Sequence, residues 1–170
     1  RWRLTPGSLY TYGGYNGFWN GTGNNSIQLT VNAPVNATLP YTDSFSSNNY
    51  IFINGSQTNK WVYGSATGNP ANALYISNDN GTTNAYTNTS ATVAHAYRDI
   101  TIPSGTTNTI FSFDWKANGE SCCDYLRVWL VPNTFTPTAG TQITSGSGRI
   151  QVGGNLNAVT TWQTYSNTAL

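Results

Sequence analysis

Apolar and polar residues alternate along most of the chain with a period of two, which is typical of half-buried β-strands. Clusters of Gly, Asn and Pro separate the alternating stretches, and none shows the 3.6-residue period of an amphipathic helix. Turn dipeptides fall at Asn54-Gly55, Asn80-Gly81 and Asn118-Gly119. After residue 40, strands are predicted within YTDSF, IFIN, KWVYGS, ALYISN, VAHAYRDITI, NTIFSFDWKA, DYLRVWLVP, GRIQVGG and TTWQTYS. This spacing predicts an all-β fold, a two-sheet antiparallel β-sandwich.

The first 35 residues have a different pattern. YTYGGYNGFWNGTGNN is rich in Gly, Asn and aromatic rings, as loop-heavy regions are. In the following SIQLTVNAPV, Ile27, Leu29 and Val31 share one face, and Pro34 ends the ladder. We therefore interpret residues 1–35 as the C-terminal part of an upstream β module of immunoglobulin or fibronectin type, residues 36–40 as a linker, and residues 41–170 as a second module.

The composition excludes some partners. Only 8% of the residues are charged and the net charge is +1, so the chain has no basic stripe for a phosphate backbone, and nucleic acid is not expected as a partner. Asn, Thr, Ser and Gly provide solubility without charge, as in many extracellular β-proteins. No run of about 18 apolar residues occurs, so no membrane span is expected. Because the chain contains no Met, we expect a processed product or a piece of a longer protein.

The strand DYLRVWLVP carries large side chains on both faces. The apolar residues at alternate positions from Leu126 to Leu130 most simply fill the core, which leaves Tyr125, Arg127 and Trp129 on the other face. These three residues are either an outer cover, in which Arg127 stacks on a neighbouring ring, or a flat aromatic platform. Sugar rings stack on such platforms because their C–H faces are apolar. Tyr125, Arg127 and Trp129 are therefore candidate ligand-binding residues.

Five segments in one order carry a family resemblance: ALYISNDNGTTNAYTNTSATVAHAYRDITIP, FSFDWKANGESCCDYLRVWLVP, FTPTAGTQIT, GRIQVGGNLN and TTWQTYS. Over about residues 39–170 the chain resembles the MAM-like jelly-roll modules of secreted surface proteins of Bacteroidetes, the group around the cleaved-adhesin and choice-of-anchor-J domains. The resemblance implies a secreted, non-enzymatic jelly roll that serves in cell adhesion or carbohydrate contact. Such modules continue through further strands that this chain lacks. Either the chain is truncated, or another chain completes the sheet by strand addition.

The same resemblance implies a calcium site. Modules of this kind often carry a Ca²⁺ ion that joins the N-terminal strand to the sheet, and Asp43 matches the acidic position of that strand. Ca²⁺ takes oxygen ligands from carboxylates and carbonyls. The usual partner of this carboxylate lies in the absent C-terminal strands. We interpret Asp79, in SNDNGTT, as a turn residue.

Cys122 and Cys123 are adjacent, at the shoulder of the predicted hairpin. Neighbouring Cα atoms are about 3.8 Å apart, below the usual disulfide range of about 4.4–6.8 Å, so a disulfide between them would be strained. Zinc binding by this pair alone is not expected, because zinc sites normally use about four ligands. A vicinal disulfide, two free thiols and a pairing between chains stay open as alternatives.

Three acids in the hairpin, Asp114, Glu120 and Asp124, raise the question of a glycosidase, which needs two carboxylates across a cleft. Nothing else in the chain supports catalysis: its six acids are scattered, and the single histidine, His95, is interpreted as structural. Together with the function that the resemblance to MAM-like modules implies, this predicts a non-catalytic adhesion module that contacts glycans. The alternative is a structural spacer or filament subunit whose open sheet edge is completed by a strand from a neighbouring chain.

Overall fold

The computed structural model describes residues 36–167, and the structural statements below refer to that part of the chain. These residues form strands, turns and loops, and no helix occurs among them. It follows that the described part has no helix that is long and apolar enough to cross a membrane. The predicted all-β class is confirmed. The interpretation of residues 1–35 as part of an upstream module falls outside the described residues.

The described strands pair two by two. They are β1 (Ala37–Thr38), β2 (Ile51–Ile53), β3 (Lys60–Gly68), β4 (Ala71–Ser77), β5 (His95–Tyr97), β6 (Ile100–Thr101), β7 (Phe111–Ala117), β8 (Leu126–Leu130), β9 (Ile150–Leu156) and β10 (Val159–Asn167). The pairs β2–β5, β3–β4, β7–β10 and β8–β9 are antiparallel, and β1–β6 is parallel. Several small sheets, mostly antiparallel, therefore make up the described fold.

One predicted strand is absent. Residues Tyr41–Phe45 are irregular, although each of the other predicted segments contains a strand. The Asp43 carboxylate accepts the backbone N–H of Phe45 at 2.8 Å, and Phe45 has a φ of 55°. A side chain that binds the backbone two residues later competes with a β-ladder for the same donor. The strand prediction at YTDSF is wrong for this reason.

The segment interpreted as a linker, residues 36–40, contains β1. Ala37 is 7% exposed and pairs with Ile100, and its N–H donates to the carbonyl of Asp99 at 3.1 Å. This segment is therefore hydrogen-bonded at Ala37, and its interpretation as a linker stays a prediction.

The buried apolar residues of the described chain are few. They are Ala37, Ala73, Tyr75, Val152 and Leu156. On β8–β9, Val128 lies opposite Val152 and Leu126 lies opposite Leu156, so the inner face of this sheet is the one that the alternation predicts. On β7–β10, the ring of Phe113 lies 5.3 Å from that of Tyr165. These two pairs of strands therefore carry part of the buried apolar surface, and β4 carries another part at Ala73 and Tyr75.

Candidate functional site

The outer face of β8–β9 carries the three side chains that the sequence singled out. Trp129 lies directly opposite Gln151, and Arg127 shares its side of β8 because successive side chains alternate. Tyr125, one residue before β8, is 36% exposed, and the side chains of Arg127 and Trp129 are half-buried. We call this surface the β8–β9 platform, formed by Tyr125, Arg127, Trp129, Gln151 and Asn155.

Two amide side chains hold the Arg127 guanidinium. Its Nε donates to Oδ1 of Asn155 at 2.7 Å, and one terminal nitrogen donates to Oε1 of Gln142 at 2.7 Å. The guanidinium carbon lies 5.1 Å from the centre of the Tyr125 ring, so the stacking of a cation on a neighbouring ring is present. A guanidinium has further N–H donors beyond these two bonds. Arg127 is thus fixed in position and keeps donors for a ligand or water.

A bulge in β9 brings Asn155 beside Arg127. The β8–β9 register shifts between the pairs Leu126–Leu156 and Val128–Val152, and the extra residues of β9 include Gly153 and Gly154. Both glycines have positive φ values, 78° and 71°, in the left-handed region that other residues rarely adopt. A Cβ at Gly153 would also lie only 3.2 Å from the Tyr165 ring. The two glycines therefore determine where Asn155 meets Arg127.

A shallow cavity of about 230 Å³ adjoins the platform through Gln142. It is lined by four threonines, one amide and three larger side chains: Thr136, Thr138, Thr141, Thr144, Gln142, Phe135, Ile143 and Arg149. Arg149 donates to the carbonyl of Thr144 at 2.7 Å and stacks on Phe135 at 5.3 Å. Pockets for drug-sized ligands are usually about 300–1,000 Å³, so this cavity is suited to one small polar ring or group.

His95 anchors the loop that forms this cavity. Its Nε2 lies 3.1 Å from the carbonyl oxygen of Thr138 and 3.0 Å from that of Thr141, so this nitrogen carries the hydrogen. Nearby, the N–H of Gly140 donates to the carbonyl of Val93 at 2.7 Å. These contacts agree with the interpretation of His95 as a structural residue.

A second, larger groove of about 540 Å³ lies between β2 and β3. Aromatic rings and amides line it: Asn48, Phe52, Asn54, Trp61, Val62, Tyr63, Gly64, Ser65, Tyr75, Asn80 and Gly81. Sequence reasoning missed this groove. The alternation of Trp61 and Tyr63 in KWVYGS, close to several Asn residues, is the signal that could have indicated it.

The hairpin acids are engaged separately. Asp114 accepts the Thr164 hydroxyl at 2.6 Å across β7–β10, while Asp124 accepts the Tyr86 hydroxyl at 2.7 Å and the N–H of Glu120 at 3.1 Å. The bond to Asp124 raises the pKa of Tyr86 above its ordinary value. Neither of the two cavities described above is lined by an acidic residue. The geometry offers no pair of carboxylates in either cavity.

Asp43 is surrounded by donors. Its carboxylate accepts the Tyr41 hydroxyl at 2.5 Å, the Phe45 N–H at 2.8 Å and the Asn49 amide at 3.3 Å. Arg98 lies 4.0 Å from the same group. Ca²⁺ needs oxygen lone pairs, whereas this carboxylate faces N–H and O–H groups and a cation. These residues do not fit a calcium ion, and calcium at Asp43 stays a prediction that the geometry does not favour.

The turn between β7 and β8 contains a disulfide between the adjacent Cys122 and Cys123, both of which are exposed. The vicinal disulfide is thus the state that the structure shows among the three alternatives. The Tyr125 hydroxyl donates to the carbonyl of Cys122, which links the turn to the platform.

Comparisons of the chain with protein-family models, with curated proteins and with solved structures found no match.

Proposed function

We propose that this chain contains a non-catalytic carbohydrate-binding module that contacts glycans through the β8–β9 platform. The observation that supports this most directly is the arrangement around Arg127. The guanidinium is fixed by Asn155 and Gln142 and stacks on the Tyr125 ring, and Trp129 follows Arg127 by two residues on the same side of β8. Rings and hydrogen-bonding groups therefore share one accessible face.

This combination suits a sugar. The C–H face of a pyranose packs on an aromatic ring, while its hydroxyls accept from Arg127 and exchange hydrogen bonds with the amide of Gln151. Because Arg127 is already held, binding orders fewer rotatable bonds, and less affinity is lost to entropy. The net charge of +1 favours a neutral or weakly charged glycan.

The finer architecture that we propose is a two-layer jelly-roll sandwich. Its support is the apolar inner face at Val152 and Leu156 together with the close approach of Gly153 to the Tyr165 ring, where an added Cβ would lie 3.2 Å from the ring. In this arrangement the platform is the outer surface of one layer. The buried inner face holds the platform in place, because β8 and β9 carry the platform on one side and the inner face on the other.

The setting that we propose is a secreted adhesin on a bacterial surface, of the Bacteroidetes type. The low-charge, Asn- and Thr-rich composition, the disulfide and the resemblance to MAM-like modules support it. Disulfides persist mainly in oxidising, extracellular compartments.

A glycan array tests the proposal. Wild-type protein is expected to bind at least one glycan, and Trp129→Ala is expected to weaken that binding about 30-fold, equivalent to about 2 kcal/mol for a central aromatic contact. Trp162→Ala is the matched control, since Trp162 is also a half-buried ring beside a cation, with the Lys116 nitrogen 5.3 Å from its centre. No hit for the wild type, or equal losses in both variants, would contradict the proposal.

A second candidate, a spacer or filament subunit, is favoured by the free edge of β3. The Asn54 side chain accepts the Trp61 N–H at 2.8 Å and donates to the Trp61 carbonyl at 2.9 Å, as a neighbouring strand would. The backbone groups of Trp61 therefore point away from β4, and those of Tyr63 follow by alternation, because the register is regular from Lys60 to Gly64. Among the described strands only β4 pairs with β3. A strand from a neighbouring chain would fit this edge and the groove beside it.

Size-exclusion chromatography with light scattering tests this second candidate. Tyr63→Pro removes the outward N–H, whereas Tyr63→Ala keeps it, and Pro is tolerated on a free edge. Assembly of the wild type and of Tyr63→Ala, with Tyr63→Pro remaining monomeric and folded by circular dichroism, is the expected result. Assembly of all three proteins would exclude this edge.

A further inference from the structure

The turn between β7 and β8 brings two sulfurs and a carboxylate together outside the platform and both cavities. One carboxylate oxygen of Glu120 and the sulfurs of Cys122 and Cys123 lie within 4.8 Å of one another, and all three side chains are exposed. In the described part of the chain, no other group of three or more His, Cys, Asp or Glu side chains is this close. Thiolate and carboxylate are both ligands of zinc-like cations.

Hydrogen bonds that do not involve sulfur also hold the turn. The Glu120 carbonyl accepts the N–H groups of Cys123 at 3.1 Å and Asp124 at 3.2 Å, and the Asn157 amide at 2.7 Å. Asn157 also accepts the Gly119 N–H at 2.9 Å, and Asp124 accepts the Glu120 N–H at 3.1 Å. Because none of these bonds involves sulfur, the turn is expected to keep its backbone conformation as a dithiol.

The residues around the turn leave the Glu120 carboxylate available as a ligand. Asp124 already accepts two donors, from Tyr86 and Glu120, whereas the Glu120 carboxylate has only a long contact of 3.4 Å from the Asn88 amide. The two acids make the local potential negative, which favours a cation. An incoming ion would replace the weak Asn88 contact and leave the scaffold bonds intact.

We propose that this turn is a redox-gated site for a thiophilic divalent cation, closed as the disulfide and open as the dithiol, with Cys122, Cys123 and Glu120 as ligands. A dithiol reductant opens it: its two electrons break the S–S bond, its two protons become the thiol hydrogens of Cys122 and Cys123, and the reductant becomes a disulfide. The cation then displaces both thiol protons, which solvent takes up. Reduction frees the two sulfurs, which are bonded to each other in the closed form, so that they can separate around the ion, and a water completes four-coordination.

The experiment uses the full chain and Cd²⁺ as a spectroscopic probe, with Zn²⁺ as competitor. The protein is titrated as the disulfide and after reduction by a phosphine that is then removed, and the sulfur-to-cadmium charge-transfer absorption is followed. The expected result is one ion per chain in the reduced form and none in the oxidised form. Glu120→Gln is expected to lower the affinity of the reduced form about tenfold, while Asp114→Asn, an exposed acid of the same hairpin, leaves it unchanged.

Three results would overturn the proposal. The first is equal binding by the oxidised and reduced forms, and the second is equal binding by the reduced wild type and a Cys122→Ser, Cys123→Ser double variant. The third is loss of near-ultraviolet circular dichroism on reduction, because the proposal requires the turn to survive without the disulfide. None of these readouts involves a glycan, so the outcome is separate from that of the carbohydrate site.

Discussion

At the scale of single residues, Asp43 shows how hydrogen bonds outweigh burial. Burial alone would raise the pKa of this carboxyl, but the donors Tyr41, Phe45 and Asn49 and the charge of Arg98 hold the pKa below its ordinary value. A carboxyl with a lowered folded pKa stabilises the fold above its unfolded pKa of about 3.9 and loses that contribution as the pH falls through the folded value. The free energy of unfolding is therefore expected to fall at acid pH as Asp43 becomes protonated.

The first prediction concerns this linkage. Asp43→Asn is expected to lower the free energy of unfolding at pH 7 by about 2–4 kcal/mol, because Arg98 loses its counter-charge and the donors lose an anionic acceptor. The variant is also expected to lose less stability than the wild type between pH 5 and pH 2. Urea unfolding across this pH range measures both effects. If the unfolding free energies of the two proteins change with pH in parallel, Asp43 is not the group that makes stability depend on pH.

Asp79 provides the matched control for that experiment. Hydrogen bonds from the hydroxyls of Ser77 and Thr83 and from the Thr83 N–H lower the pKa of Asp79 to about 2. In the Asp43→Asn variant, Asp79 still contributes to the loss of stability at low pH. Asp79→Asn should therefore remove a different part of the pH dependence, the part that is lost as the pH falls through about 2.

The second prediction also concerns Asp43. Added Ca²⁺ is expected to leave the thermal midpoint unchanged, because Arg98 lies 4.0 Å from the carboxylate and donors occupy the carboxylate oxygens. Thermal unfolding with millimolar Ca²⁺ and with a chelator measures this. A midpoint that rises with Ca²⁺ in the wild type but not in Asp43→Asn would restore the calcium interpretation.

At the scale of elements, the bulge of β9 couples stability to the platform. Gly153→Ala is expected to cost about 2–4 kcal/mol, since the new Cβ meets both an unfavourable φ and the Tyr165 ring. Gly154→Ala, with a similar φ and open space around it, is expected to cost only about 1–2 kcal/mol. Denaturant unfolding measures the two values. Equal losses would mean that the contact with Tyr165 is unimportant.

Alternation was sufficient to predict most strands and the faces of β8, because the period of two fixes which side chains share a side. It failed at YTDSF, where the side chain of Asp43 binds the backbone of Phe45. The partners of Arg127 could not be predicted either. Asn155 reaches it through a bulge and Gln142 comes from a separate loop, and neither contact leaves a periodic signal.

The sequence pattern also does not predict contacts between residues that come together only in the folded chain. Asn54 pairs with the backbone of Trp61 through its side chain, although Asn54-Gly55 predicts only a turn. The positions of Cys122 and Cys123 in a turn follow from the hairpin signal, whereas the proximity of Glu120 to both sulfurs depends on how the turn closes. Such contacts depend on tertiary geometry, which a single sequence does not specify.

At the scale of the whole module, the described strands pair two by two, and few apolar side chains are buried. The proposed sandwich makes Val152 a central residue of the inner face, since it is 2% exposed, whereas Ile150 on the same strand is 54% exposed. Val152→Ala is therefore expected to cost about 2 kcal/mol and Ile150→Ala less than about 1 kcal/mol. Thermal or urea unfolding of both variants measures the difference. Similar costs would argue against a packed inner layer.

The most direct test of the carbohydrate site is an NMR titration of the uniformly ¹⁵N-labelled chain with the glycan that binds the array most strongly. The account predicts that the largest changes in amide and side-chain shifts fall on the platform, at Tyr125, Arg127, Trp129, Gln151 and Asn155. Changes confined to the groove between β2 and β3, around Trp61 and Tyr63, or no saturable change at all, would contradict it.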